Sequence, residues 1–90
     1  MKTYHFIISG RVQGVFFRYY TKDTADKFSI KGTVQNLYNG DVEVYAQGNP
    51  EAIDKLETFL HSGPPSAYVK TVIKNEMEAE NIFPDFKIIH

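Results

Sequence analysis

The sequence predicts an α+β sandwich, with two helices on one face of a four-stranded antiparallel sheet and a short additional strand at the C-terminus. Three observations point there. Stretches of two-residue apolar alternation and of three-to-four-residue apolar spacing follow one another as strand, helix, strand, strand, helix, strand. The two middle strands are joined by Asn39-Gly40, a dipeptide typical of hairpins. Ninety residues, 42% of them hydrophobic and with seven Phe and six Tyr, suffice for one packed core and not for two, so residues 1–90 are expected to form a single domain.

Each element has its own justification. From Tyr4 to Ser9 the chain alternates, with Tyr4, Phe6 and Ile8 on one side, as a half-buried strand requires, and Gly10 is expected to end it. Between Arg18 and Phe28 the positions Phe17, Thr21, Thr24, Ala25 and Phe28 recur at helical spacing while Lys22, Asp23, Asp26 and Lys27 point elsewhere, which predicts an amphipathic helix. Ser29-Ile30-Lys31-Gly32 is expected to turn the chain. Thr33–Tyr38 and Asp41–Gln47 are rich in Val and Tyr, and Asn39-Gly40 between them tolerates the positive φ angles of a type I′ turn. Asn49 as N-cap and Pro50 at the first helical position open a second helix, whose stripe of Ala52, Ile53, Leu56, Phe59 and Leu60 ends before Gly63-Pro64-Pro65. Two further strands are predicted at Tyr68–Lys74 and Phe86–Ile89. The acidic stretch Glu76–Glu80 reads as a solvated loop or a strand extension.

This order is the split βαβ arrangement of a ferredoxin-like α/β sandwich, with strand order 4-1-3-2. In that topology the first and second strands run parallel and their C-terminal ends share one edge.

Composition narrows the functions. Ten basic against eleven acidic residues give a net charge of −1, so no overall field draws the chain to nucleic acid or to an anionic membrane. The absence of cysteine excludes disulfides, thiolate metal sites and a thiol nucleophile. The apolar runs fall far short of the ~20 residues that cross a bilayer, and a cytoplasmic location is expected. His5, His61 and His90 have no metal-ligand spacing and read as structural or exposed. Asp41 and Glu43 alternate on one strand face and read as solvated rather than as a metal pair, and Tyr38 and Tyr45 read as packing or surface residues.

One segment carries chemistry. Gly10-Arg11-Val12-Gln13-Gly14-Val15-Phe16-Phe17-Arg18 leads from a strand into a helix start, where the first amides have no partner within the helix and the helix dipole is positive. A Gly-x3-Gly turn alone more often marks a tight connection than a ligand site. Arg18 changes that reading, because a cation near a helix N-terminus is misplaced unless an anion sits beside it, and its planar fork matches phosphate oxygens two at a time. The backbone of Gln13, Gly14, Val15, Phe16, Phe17 and Arg18 is thus a candidate phosphate cradle, with Arg11 a solvated loop residue. Asn36 lies near the end of the second strand, about two strand spacings, roughly 10 Å, from the cradle. Its alternative role is support of the Asn39-Gly40 turn.

Here a family resemblance enters. Ile8-x-Gly10-x-Val12-Gln13-Gly14-Val15-x-Phe17-Arg18 resembles the first acylphosphatase signature at every defining position. Gly32-x-Val34-Gln35-Asn36, with Gly40, Val42 and Gly48 following in register, is similar to the second. The likeness covers essentially the whole chain, including Pro64-Pro65 and Ala67-x-Val69-x-x-Val72. It implies hydrolysis of an acyl phosphate to a carboxylate and inorganic phosphate, with Arg18 and Asn36 as catalytic residues, residues 13–18 as the cradle, no metal and no cofactor. Inorganic phosphate or sulfate would compete for the cradle, and a monomer without nucleic-acid or membrane partners is expected. Thr33 departs from the family pattern, which has an aromatic residue there. Alternation puts Thr33 on the face opposite Asn36, so the departure bears on packing or substrate preference rather than on phosphate chemistry.

Two other readings compete. An RNA-binding module of this fold needs basic and aromatic residues on its third strand, whereas Val42-Glu43-Val44-Tyr45-Ala46 carries an acid and no Lys or Arg. A non-catalytic acyl-phosphate or carbamoyl-phosphate binding domain of a larger maturation enzyme would use the same cradle; the end of the chain at His90 and the presence of Asn36 argue for the enzyme.

Overall fold

The computed structural model describes all residues from Met1 to His90. Its elements are β1 (Lys2–Arg11), α1 (Val15–Lys27), β2 (Lys31–Asn36), β3 (Val42–Gln47), α2 (Pro50–Ser62), β4 (Tyr68–Glu78) and β5 (Phe86–Ile89). They form one sheet in the order β4-β1-β3-β2-β5: the first four strands take the 4-1-3-2 order that the element pattern predicts, and the short C-terminal strand, which the pattern left unplaced, adds beside β2. β3 is antiparallel to both β1 and β2, which makes those two parallel and brings their C-terminal ends to the same edge. β5 joins β2 in parallel, so the C-terminus arrives at that edge as well.

The core lies between the sheet and the helices. Tyr4, Phe6 and Ile8 of β1 face inward with Val34, Val42, Val44 and Ala46, against Phe17 and Ala25 of α1 and Ile53, Leu56 and Leu60 of α2. The alternation and the helical stripes thus select the faces their periods imply. In α2 the Asn49 side chain accepts from the Ala52 amide at 2.8 Å, the capping bond its sequence position implies.

Several boundaries differ from expectation, each for a physical reason. β1 does not end at Gly10. A register shift between Ser9 and Gly10 bends the strand and lets it continue, so Arg11 is an exposed strand residue paired with Tyr68 rather than part of a loop. α1 begins at Val15, three residues before Arg18, because Phe17 already belongs to the buried stripe with Thr21 and Ala25. Lys31 and Gly32 belong to β2 and not to the preceding turn.

The hairpin is also built differently. The Leu37 amide donates to Asp41 O at 2.8 Å and the Gly40 amide to Leu37 O at 3.1 Å, enclosing a three-residue loop. Gly40 has φ 97° while Asn39 keeps a negative φ, so this is a turn closed by a left-handed glycine and not type I′. Asn39 stabilises it through its side chain, which accepts from the Asp41 amide at 3.0 Å. The acidic stretch extends β4 as far as Glu78, where Lys2 meets Glu78 at 3.1 Å.

The opposite sheet face is open and partly polar. Glu43 is not solvated as expected: it lies 2.9 Å from His5 Nε2 and accepts from Gln35 Nε2 at 3.0 Å, and the Tyr45 ring packs 4.6 Å from His5. Thr33 lies on this face, in register with Tyr45, whereas Val34 faces the core.

Candidate active site

The loop after β1 is held from below by Val12, which is fully buried, and from above by Phe17, whose ring packs against Phe59 at 6.0 Å. Between these anchors Gln13, Gly14, Val15 and Phe16 remain exposed. Gly14 is the N-cap of α1, with φ 95° and ψ 173°, and it offers no side-chain cap. A side chain there would meet no neighbour, so the requirement for glycine is the backbone angle and not space.

This leaves a row of main-chain donors. None of the eleven backbone hydrogen bonds outside the regular elements is donated by residues 12–17, and the first turn of α1 contains no acidic residue. The amides from Gln13 to Phe17 therefore stand at the positive end of the helix with no acceptor of their own. Phe17 contributes only its amide, since its ring belongs to the core.

The Gln13 side chain fixes the loop to the neighbouring hairpin. Its Nε2 donates to Gly40 O at 2.7 Å and so joins two segments 27 residues apart in the chain. The connection holds the amide row over the edge at which β2 ends.

Arg18 is half-buried on α1, and its Nη1 donates to His90 Nδ1 over 3.3 Å. Guanidinium has no acceptor, so the imidazole nitrogen must be the receiving atom. Arg18 Nε is shielded from solvent and lacks any protein partner. Asn36 Oδ1 is likewise buried without a donor. His90 connects the two residues in space: it bonds Arg18, and with Gln35, Asn36, Leu37 and Tyr38 it lines an open cavity of about 410 Å³. The turn-supporting role for Asn36 fails, because Asn39 performs it.

An unsatisfied buried donor and an unsatisfied buried acceptor at one sheet edge are costly, about 1–3 kcal/mol each. Native interiors seldom retain such groups without a use. Nowhere in the fold do three His, Asp or Glu side chains converge. What this end of the sheet carries is a set of unpartnered N–H donors on the loop and, on β2, one unpartnered carboxamide oxygen. A second cavity, about 230 Å³, lies on the open face around Thr3, Tyr45, Met77 and Phe83, away from these groups.

Two contributors were not visible in the sequence. His90 reads as a terminal residue until β5 is seen to run parallel to β2. The Gln13 tether joins residues whose proximity depends on the sheet order. Tyr38 is fully exposed, in line with a surface reading, and Tyr45 packs on the open face.

Comparisons with known proteins bear on the family and the fold. The family model described as acylphosphatase matches residues 4–88. The chain belongs to the acylphosphatase family. It is 44% identical to an acylphosphatase of Vibrio cholerae serotype O1 (strain ATCC 39315 / El Tor Inaba N16961) over 84 residues, which cover 93% of this chain and 92% of that protein. The acylphosphatase of Bacillus subtilis superposes with a TM-score of 0.95 at 33% identity, with both chains covered completely. That of Coxiella burnetii gives 0.91 at 39% identity, covering 98% of this chain and 92% of that one. Family and fold together make the chain an enzyme of the acylphosphatase class, a hydrolase of phosphorus-containing acid anhydrides.

Proposed function

We propose that the chain hydrolyses an acyl phosphate to a carboxylate and inorganic phosphate, by in-line attack of a water oriented by Asn36 on a phosphoryl group held by the amides of Gln13 to Phe17 and by Arg18. The observation that carries the reading is the pair of orphaned buried atoms, Arg18 Nε and Asn36 Oδ1, beside a row of unpartnered helix amides. A phosphoryl dianion satisfies the donors, and a water satisfies the acceptor.

The chemistry asks little else of the protein. The bond between phosphorus and the bridging oxygen breaks, and its electron pair leaves with a carboxylate stable enough to need no general acid. The transition state is loose, so catalysis rests on positioning and on charge stabilisation. The amides and the guanidinium neutralise the equatorial oxygens. Asn36 Oδ1 accepts a hydrogen bond from the attacking water and aims its lone pair at phosphorus. An amide oxygen is too weak a base to take the proton, which passes to the phosphoryl group itself.

The reading extends to a single-domain monomer in the cytoplasm that needs neither cofactor nor metal. Its mixed surface charge and lack of cysteine support that extension. Turnover of benzoyl phosphate in excess chelator tests the proposal, with inorganic phosphate and sulfate as competitive inhibitors. A pure binding domain or an RNA module leaves benzoyl phosphate at its spontaneous rate, and that result would refute the reading.

A further inference from the structure

Four large apolar side chains stand exposed on the first two turns of α1. Phe16 is 62% exposed, Tyr19 52%, and Val15 and Tyr20 46% each. Single exposed aromatics are ordinary, but these lie on one face, as the i, i+4 pairs Val15/Tyr19 and Phe16/Tyr20, opposite the buried stripe of Phe17, Thr21 and Ala25. Helical side chains lean toward the N-terminus, so the rings of Tyr19 and Tyr20 cover the turn that contains the unpartnered amides.

In-line displacement says what this face meets. Asn36 Oδ1, which aims the water, is buried at the sheet edge. The bond to the leaving group is opposite the attacking water, so a water held at Asn36 leaves the acyl group on the side of the phosphoryl group away from β2. We infer that Val15, Phe16, Tyr19 and Tyr20 form an apolar rim that receives the acyl group, and that the enzyme prefers acyl phosphates with an extended apolar acyl chain over acetyl phosphate. The inference rests on the proposed acyl phosphate hydrolysis and adds its substrate class. The rim acts on the leaving portion and not on the phosphoryl group, so it alters discrimination between acyl groups.

The test compares acetyl phosphate with hexanoyl phosphate, whose carboxylates are equally good leaving groups and whose difference is apolar length alone. The extra methylenes, partly covered by the rings, are expected to raise kcat/KM by about tenfold for hexanoyl phosphate. Tyr19→Ala and the double variant Tyr19→Ala/Tyr20→Ala, checked for fold by circular dichroism, should reduce the hexanoyl-to-acetyl ratio progressively toward one. A wild-type ratio near one, or a ratio unmoved by both variants, overturns the rim while leaving acyl phosphate hydrolysis intact. Failure to turn over either substrate overturns the hydrolysis itself.

Discussion

Replacing Asn36 by alanine separates a catalytic role from a structural one, because the two make opposite predictions for stability. If Asn36 aims the water, its loss removes an interaction made in the transition state, and kcat falls by about 10²–10³, the worth of one preorganised polar group, while KM changes little. The same substitution removes a buried oxygen that has no protein donor. That relieves a desolvation cost of about 1–3 kcal/mol. Asn36 borders an open cavity, so truncation leaves no sealed void to offset the gain. A net gain of about 1 kcal/mol raises Tm by roughly 4–8 °C in a domain of this size. Steady-state hydrolysis of benzoyl phosphate and thermal melts followed by circular dichroism read both effects. The expected variant is inactive and more stable. Wild-type turnover, or activity and stability lost together, would refute the assignment.

Other outcomes follow from the same geometry. Arg18→Ala should raise KM and lower kcat, costing on the order of 3 kcal/mol or more in kcat/KM, since the proposed guanidinium contact to the phosphoryl group is made in both ground and transition states. His90→Ala removes the one side chain that holds Arg18 and should lower kcat/KM about three- to tenfold, as expected for one exposed hydrogen bond to a charged group, without moving Tm. Gln13→Ala frees the amide row from Gly40 and should weaken competitive inhibition by phosphate about threefold, measured as the inhibition constant. The hydrogen bond to Glu57 raises the pKa of Lys74 above 10.5 despite the opposing effect of burial, so the stability it contributes is fully present below 10.5 and is lost as pH rises through the folded-state value. Urea titrations on either side of that range should differ by at most about 1 kcal/mol from this pair, and Lys74→Met should abolish that share.

The fold was legible because its determinants are local and periodic. Tyr4, Phe6 and Ile8 alternate, Ala52, Ile53, Leu56 and Leu60 recur at helical spacing, and Asn49-Pro50 and Gly63-Pro64 mark the limits of α2. The boundaries that moved depend on neighbours. Gly10 reads as a stop in isolation, yet pairing with β4 carries β1 past it, and Asn39-Gly40 reads as type I′ until the extra residue of the loop is counted. Glu43 reads as solvated because charge is visible in a sequence, whereas the His5 and Gln35 side chains that pair with it come from other strands.

The site follows the same division. Its donors lie within one nine-residue segment, and an arginine near a helix N-terminus announces an anion because it opposes the helix dipole. Asn36 is different, since nothing local to it distinguishes a strand-end asparagine that supports a turn from one that aims a water. The proposed role rests on an oxygen that is buried and unpartnered at the edge where β1, β2 and β5 all end. Each component of the site is locally unfavourable: orphaned amides, a cation at the positive end of a helix, and a desolvated carboxamide. None of these groups belongs to the apolar core beside them, in which Val12, Phe17 and Val34 are buried. The same local cost therefore marks the site and makes its residues the ones whose removal should leave the fold intact.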